Sequence, residues 1–363
     1  MVNGCKFFLT LSFNLLYLSF MKALKLKKEN LFDFLKGIQK FGEVYGPVRK
    51  GDKFIYEKLT DFSRLELTAL RTILPVKKFL LPPKFPILKF DPINQYQEVP
   101  EEIPMRIIFG LHPCEIHSIL ILDRLFKERL PDPYYRKARE RTIIIGLSCV
   151  PDDKCFARST NTHFIEEGFD LGFNELDDHY LVWVGSSVGD DLVRSRLELF
   201  DENITQKDLT QYIEWRKWRD NQYQLHLDLT AMPDIMELSY DAPIWEELGE
   251  KCLSCGACSM VCPTCPCFNV QDHLPIGEKA GFRERHWDSC MLKDFALVAG
   301  GHNFRERRSS RVKLWYTHKL KAFITEFGRP ACVGCGRCID TCPVNINVLE
   351  VAKKLKGEGV LLK

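Results

Sequence analysis

Apolar positions near the start of the chain keep a helical rhythm. Between residues 26 and 41, Leu31, Phe32, Leu35, Ile38 and Phe41 recur at steps that place them on one helix face. Gly42, then Gly46 with Pro47, mark its end. Runs rich in Ile, Val, Phe and Tyr follow at 53–59, 105–111, 142–147 and 180–184 and read as strands. The second and third of these bracket a helical pattern over 115–130, a strand, helix, strand unit. The proline-rich stretch LLPPKFPILKFDP reads as a surface linker.

After Ser239 the pattern becomes helical patches between cysteine loops, with no run that reads as a strand of five or more residues. A boundary within 232–245 follows. The expected fold class is α+β: an N-terminal mixed α/β domain over 21–238, then a mainly helical dicluster ferredoxin-like domain over 239–363. The leading segment MVNGCKFFLTLSFNLLYLSF carries one charge, Lys6, and no small-residue cleavage site. Its apolar run is shorter than the roughly 18 to 20 residues that span a bilayer. Residues 1–20 are therefore expected to be a leader outside the core, with translation starting at Met21; a short hydrophobic anchor is the alternative.

At 363 residues the chain has length for two cores, and its formal net charge of +2 gives no electrostatic case for a nucleic-acid or membrane partner. Fifteen cysteines change the picture, because most fall after residue 250 in tight groups and not as a spread framework of bridges. Such grouping argues for metal binding by reduced thiols, and so for a cytoplasmic setting.

Two segments repeat without a gap: CLSCGACSMVCP at 252–263 and CVGCGRCIDTCP at 332–343. Each reads Cys-x-x-Cys-x-x-Cys-x-x-x-Cys-Pro, the run in which three cysteines wrap one 4Fe-4S cluster and the fourth serves the other cluster. Cys252, Cys255, Cys258 and Cys342 are thus expected to hold one cluster, and Cys332, Cys335, Cys338 and Cys262 the second. Zinc, the competing metal, favours separated Cys-x-x-Cys pairs and leaves the third cysteine and the trailing Pro263 and Pro343 unexplained. Cross-ligation makes the residues between the repeats an excursion from a compact core.

Cys265, Cys267 and Cys290 lie in that excursion; eight ligands already suffice, so they are expected to pack beside the clusters. The basic residues from Arg305 to Lys321 alternate with Val312, Leu314, Trp315 and Leu320, as in a docking or cluster-facing helix. In the first domain, Cys114 and Cys149 each follow an expected strand, and neighbouring parallel strands would carry both to one sheet edge. With Cys155 they make a possible third iron-sulfur site, ordinary buried thiols being the alternative. Glu115 and His117 beside Cys114 give no aligned base for a thiol nucleophile. No glycine-rich phosphate loop occurs, so neither flavin nor nucleotide is expected on this chain, and no catalytic residue stands out.

The segments FGEVYGPVRKGDKF, FGLHPCEIHSILILDRLF, DPYYRKARERTIIIGL, CPTCPCF, WDSC, AGGHNFR and CVGCGRCIDTCPV extend the signature well beyond the repeats. Together they resemble the iron-sulfur β subunits of cytoplasmic NiFe hydrogenases of the sulfhydrogenase type, and the related A subunit of anaerobic sulfite reductase. The likeness runs from Lys25 to the C-terminus. It implies a non-catalytic dicluster subunit of a hetero-oligomeric oxidoreductase. Such a subunit passes electrons between an FAD- and NAD(P)-binding partner and catalytic hydrogenase, or sulfite reductase, subunits. Family members often show Cys-Phe-Cys where this chain has Cys155, Phe156 and Ala157, a departure that removes one ligand from the third site. An iron-sulfur scaffold or regulatory protein with structural clusters is the reading from another class.

Overall fold

Two apolar runs, RIIFGL and TIIIGL, form the centre of an eight-stranded sheet because both of their faces are covered. They are β6 (Arg106–Leu111) and β7 (Thr142–Leu147) of a computed structural model that describes residues 22–93, 95–99 and 102–357. The expected leader and the start at Met21 lie outside the described residues. The other strands are β1 (Lys22–Lys27), β2 (Glu43–Lys50), β3 (Lys53–Lys58), β8 (Leu171–Glu175), β9 (His179–Val184) and β10 (Phe200–Asp201). Their order is β10-β1-β9-β8-β7-β6-β2-β3. The pairs β2/β6, β6/β7 and β7/β8 are parallel and the rest antiparallel.

Side chains alternate across this sheet. Ile107, Phe109, Ile143 and Ile145 pack on one face with Leu31, Phe34, Leu35 and Ile38, while Ile108 and Ile144 meet Ile116, Ile119 and Leu122 of the helix Pro113–Asp123 on the other. The strand, helix, strand unit is therefore present; its helix starts at Pro113 and widens at Arg124–Arg129 into a looser helical turn.

Several local expectations are corrected. Leu26 belongs to β1, and in the helix Leu31–Gly37 it is Phe34, fully buried, that faces the core, whereas Phe32 is 37% exposed. Gly46 and Pro47 end no helix but lie within β2. Parallel pairing with β6 stops at Tyr45, so the missing N–H of Pro47 falls beyond that ladder. The proline-rich linker contains a strand, β4 (Lys84–Asp91), which pairs with β5 (Gln95–Glu98).

That hairpin joins β11 (Phe268–His273) and β12 (Gly281–Trp287) in a second sheet of order β11-β12-β4-β5, which draws on both sides of residue 239. Strands were not expected here. Charged residues occupy β12, and ion pairs from Arg283 to Asp272, Glu284 to Lys84 and Arg285 to Asp132 satisfy them in place of an apolar face.

The remainder after 239 is loops and short helices, Ile244–Lys251, Arg308–Thr317 and Val348–Leu355 among them, around Leu248, Val312, Trp315, Tyr316, Leu320 and Val351. The class is mixed α/β followed by the cysteine-rich part. The excursion between the repeats is only partly outward: 268–287 leaves for the second sheet, and Arg308–Thr317 returns to the core. Among the described residues no helix is long and apolar enough to cross a membrane.

Candidate metal centres

The duplication in sequence is a duplication in backbone. Gly256 and Gly336 each precede a four-residue helix, Ala257–Met260 and Arg337–Asp340, with the same φ of 75° and ψ of −5°. Two residues earlier, Ser254 and Gly334 are also left-handed, at φ 52° and 62°. These conformations, which glycine adopts at little steric cost, curl each Cys-x-x-Cys-x-x-Cys loop tightly. At Gly334 a Cβ would sit 2.6 Å from the Phe156 carbonyl, so glycine also permits close docking on the α/β part.

The cysteines of the two repeats line two cavities. Cys252, Cys255, Cys258 and Cys342 line one cavity, with Met291, Val312, Trp315 and Tyr316 among its walls. Cys262, Cys332, Cys335 and Cys338 line a second, with Phe156, Trp315, Lys319 and Arg337. The first cavity also has Cys338 in its wall, so it takes three cysteines from the first repeat and two from the second, whereas the second cavity takes three from the second repeat and one from the first. Trp315 of the returning helix and Cys338 line both, so the two cavities adjoin.

The donor chemistry suits iron-sulfur clusters. Backbone N–H groups of Ser254 and Ile346 donate to Cys252 Sγ at 3.3 Å and Cys342 Sγ at 3.2 Å. Burial pushes Cys258 and Cys332 up to about 12 and Cys252 and Cys338 above the usual thiol range. Those thiols give up a proton when a cation takes its place. Cys262 differs: the Cys265 thiol donates to it and the Lys319 ammonium stands beside it, and together they hold it well below that range despite burial. Among the described residues no three His, Cys, Asp or Glu side chains gather to hold one ion.

Cys114, Cys155 and Cys335 share one packed group with Ala157, Val333 and Tyr223. Burial pushes the Cys114 thiol up, and the charges of Cys335, Cys155 and Cys149 add to it. Ala157 lies in the same group, where the Cys-Phe-Cys pattern would supply a fourth thiol. Cys265 and Cys290 are buried and Cys267 half-buried, and Cys267 and Cys290 belong to the core group around Leu248 and Trp315. His117 accepts from Arg329 at 2.9 Å through Nδ1, and its Nε2–H donates to the Phe164 carbonyl at 2.7 Å. Glu115 pairs with Arg337, so neither residue is poised against Cys114 as a base.

Three residues escaped the sequence reading. Lys319 Nζ donates to Cys262 Sγ at 3.2 Å and Thr264 Oγ1 at 2.7 Å. Arg71 Nε donates to the Cys335 carbonyl at 2.8 Å while its Nη2 meets Asp152 at 2.7 Å. Arg337 reaches from the second repeat to Glu115. No spacing rule marks them, because each acts across more than 50 residues of chain; Lys319 alone had a signal, one helical turn beyond Trp315.

Residues 251–346 match the family model of the 4Fe-4S dicluster domain, a span that includes all eight cysteines. The chain is 38% identical to sulfhydrogenase 2 subunit beta of Pyrococcus furiosus over 341 residues, which covers 94% of this chain and 100% of that protein.

Proposed function

Because the chain belongs to the sulfhydrogenase β-subunit family, we propose that it is the electron relay of a soluble, cytoplasmic, NAD(P)-linked NiFe hydrogenase. One 4Fe-4S cluster is held by Cys252, Cys255, Cys258 and Cys342, the second by Cys332, Cys335, Cys338 and Cys262. The partners in this reading are an FAD- and NAD(P)-binding subunit and the catalytic hydrogenase subunits, assembled as a hetero-oligomer, and the chain itself contributes no catalytic residue. The division into 21–238 and 239–363 belongs to the same proposal, with the first part as docking and support for the second.

The observation that carries the reading is the pair of cysteine-lined cavities that share Trp315 and Cys338. Centres that close exchange single electrons without any movement of the chain. Cys255 is exposed, which gives the first centre a face toward a partner. Similarity to a sulfhydrogenase subunit sets this reading ahead of a sulfite reductase.

Anaerobic mixing tests it. The clusters are expected to be reduced by NAD(P)H only when the flavin subunit is present, and reoxidised when the hydrogenase subunits and protons are supplied. Clusters that respond to neither partner would instead mark a scaffold. Iron content sets the count, about eight atoms for two cubanes and about twelve if Cys114, Cys149 and Cys155 hold a third.

A further inference from the structure

Lys319 is 4% exposed, and among the described residues no carboxylate lies within ion-pairing distance of it. A buried ammonium without a carboxylate is costly unless another anion is resident. Its neighbours are Cys262 Sγ at 3.2 Å, Thr264 Oγ1 at 2.7 Å and the Ala331 carbonyl at 3.5 Å. The Thr264 hydroxyl donates onward to that carbonyl at 2.6 Å, which fixes the acceptor and leaves the ammonium aimed at sulfur.

The first cavity has nothing equivalent. Its lining is apolar apart from the cysteines. Arg308 and Arg311 approach its loop, but they donate to the Cys252 carbonyl at 3.0 Å and the Ser254 hydroxyl at 3.0 Å and not to sulfur. Arg337, the other cation lining the second cavity, is neutralised by Glu115 at 2.9 Å.

We infer that Lys319 is a positioning residue that sets the reduction potential of the second cluster, by donating a charged hydrogen bond to the cross-ligating thiolate of Cys262. The inference rests on the two-cluster reading above. A cluster gains one negative charge on accepting one electron. An ammonium beside its thiolate stabilises the reduced form more than the oxidised form, so the potential rises. Among the described residues the sulfur that accepts a hydrogen bond from Lys319 is that of Cys262, so the effect is largest on the second centre.

The test is an EPR-monitored potentiometric titration of the full-length protein with dithionite, its signals assigned by loss in Cys255→Ala or Cys335→Ala. In Lys319→Met the second signal is expected to need a potential lower by at least 59 mV, a tenfold fall in the reduced-to-oxidised ratio, with the first shifted less. Lys319→Arg, which keeps charge and donor, is expected to restore most of the shift. If Lys319→Met does not assemble the cluster, wild-type protein labelled with nitrogen-15 lysine supplies the readout: hyperfine coupling to a lysine nitrogen on the second signal and none on the first. An unchanged potential in Lys319→Met, a shift confined to the first signal, or absence of that coupling would overturn the inference. A wild-type protein without two 4Fe-4S signals would instead overturn the reading beneath it.

Discussion

Arg337 donates to Glu115 across 2.9 Å, with 4% and 2% of the two side chains exposed. Tyr56 donates to the other Glu115 oxygen at 2.6 Å, and Thr72 accepts from Arg337 at 3.3 Å. Glu115 follows Cys114 in the α/β part; Arg337 stands between Cys335 and Cys338. The pair ties the second thiol set to the central sheet.

Glu115→Ala leaves Arg337 buried without its partner, a loss of about 3 to 5 kcal/mol. Thermal unfolding is expected to fall sharply, and iron to be lost first from the second set. Glu115→Gln, which keeps the acceptor, is expected to lose less. A Glu115→Ala protein that melts and binds iron like wild type would show that the pair is no fastener.

Acid is expected to weaken the α/β part before it titrates any carboxylate. Burial and the nearby Arg329 guanidinium push His117 down to about 4, against the pull of the Phe164 carbonyl, and burial moves His163 the same way. Above pH 6.5 neither the folded nor the unfolded chain protonates these rings. Between 6.5 and about 4 the unfolded chain binds protons that the folded one refuses, so stability falls as pH falls through that window. Denaturant melts at pH 7 and pH 5 are expected to differ less in His117→Gln than in wild type; equal differences would remove His117 from the account.

Ala157 occupies the place beside Cys114 and Cys155 where a fourth thiol would complete a ligand set. Wild-type protein is expected to carry about eight irons, and Ala157→Cys about twelve. About eight irons in both would mean that the three thiols are packing and not a site.

The cysteine repeats made the centre of this molecule legible, because cluster ligation imposes fixed short spacings. The strands β6 and β7 were legible for a related reason, being buried on both faces and so apolar at every position. What stayed hidden was pairing at a distance. β4 looked like a linker because Pro82, Pro83 and Pro86 broke the pattern, and β12 looked like loop because its charges find partners on other elements. The contacts of Lys319 and Arg71 stayed hidden for the same reason: the sulfur and carbonyl that hold them are 57 and 264 residues away.

Cross-ligation is tested most directly by comparing EPR spectra of Cys342→Ala, Cys255→Ala and Cys335→Ala in the full-length protein. The cavities place Cys342 with Cys255, so those two variants are expected to perturb the same 4Fe-4S signal and leave the Cys335 signal intact. If Cys342→Ala perturbs the Cys335 signal instead, each repeat holds its own cluster and the account is wrong.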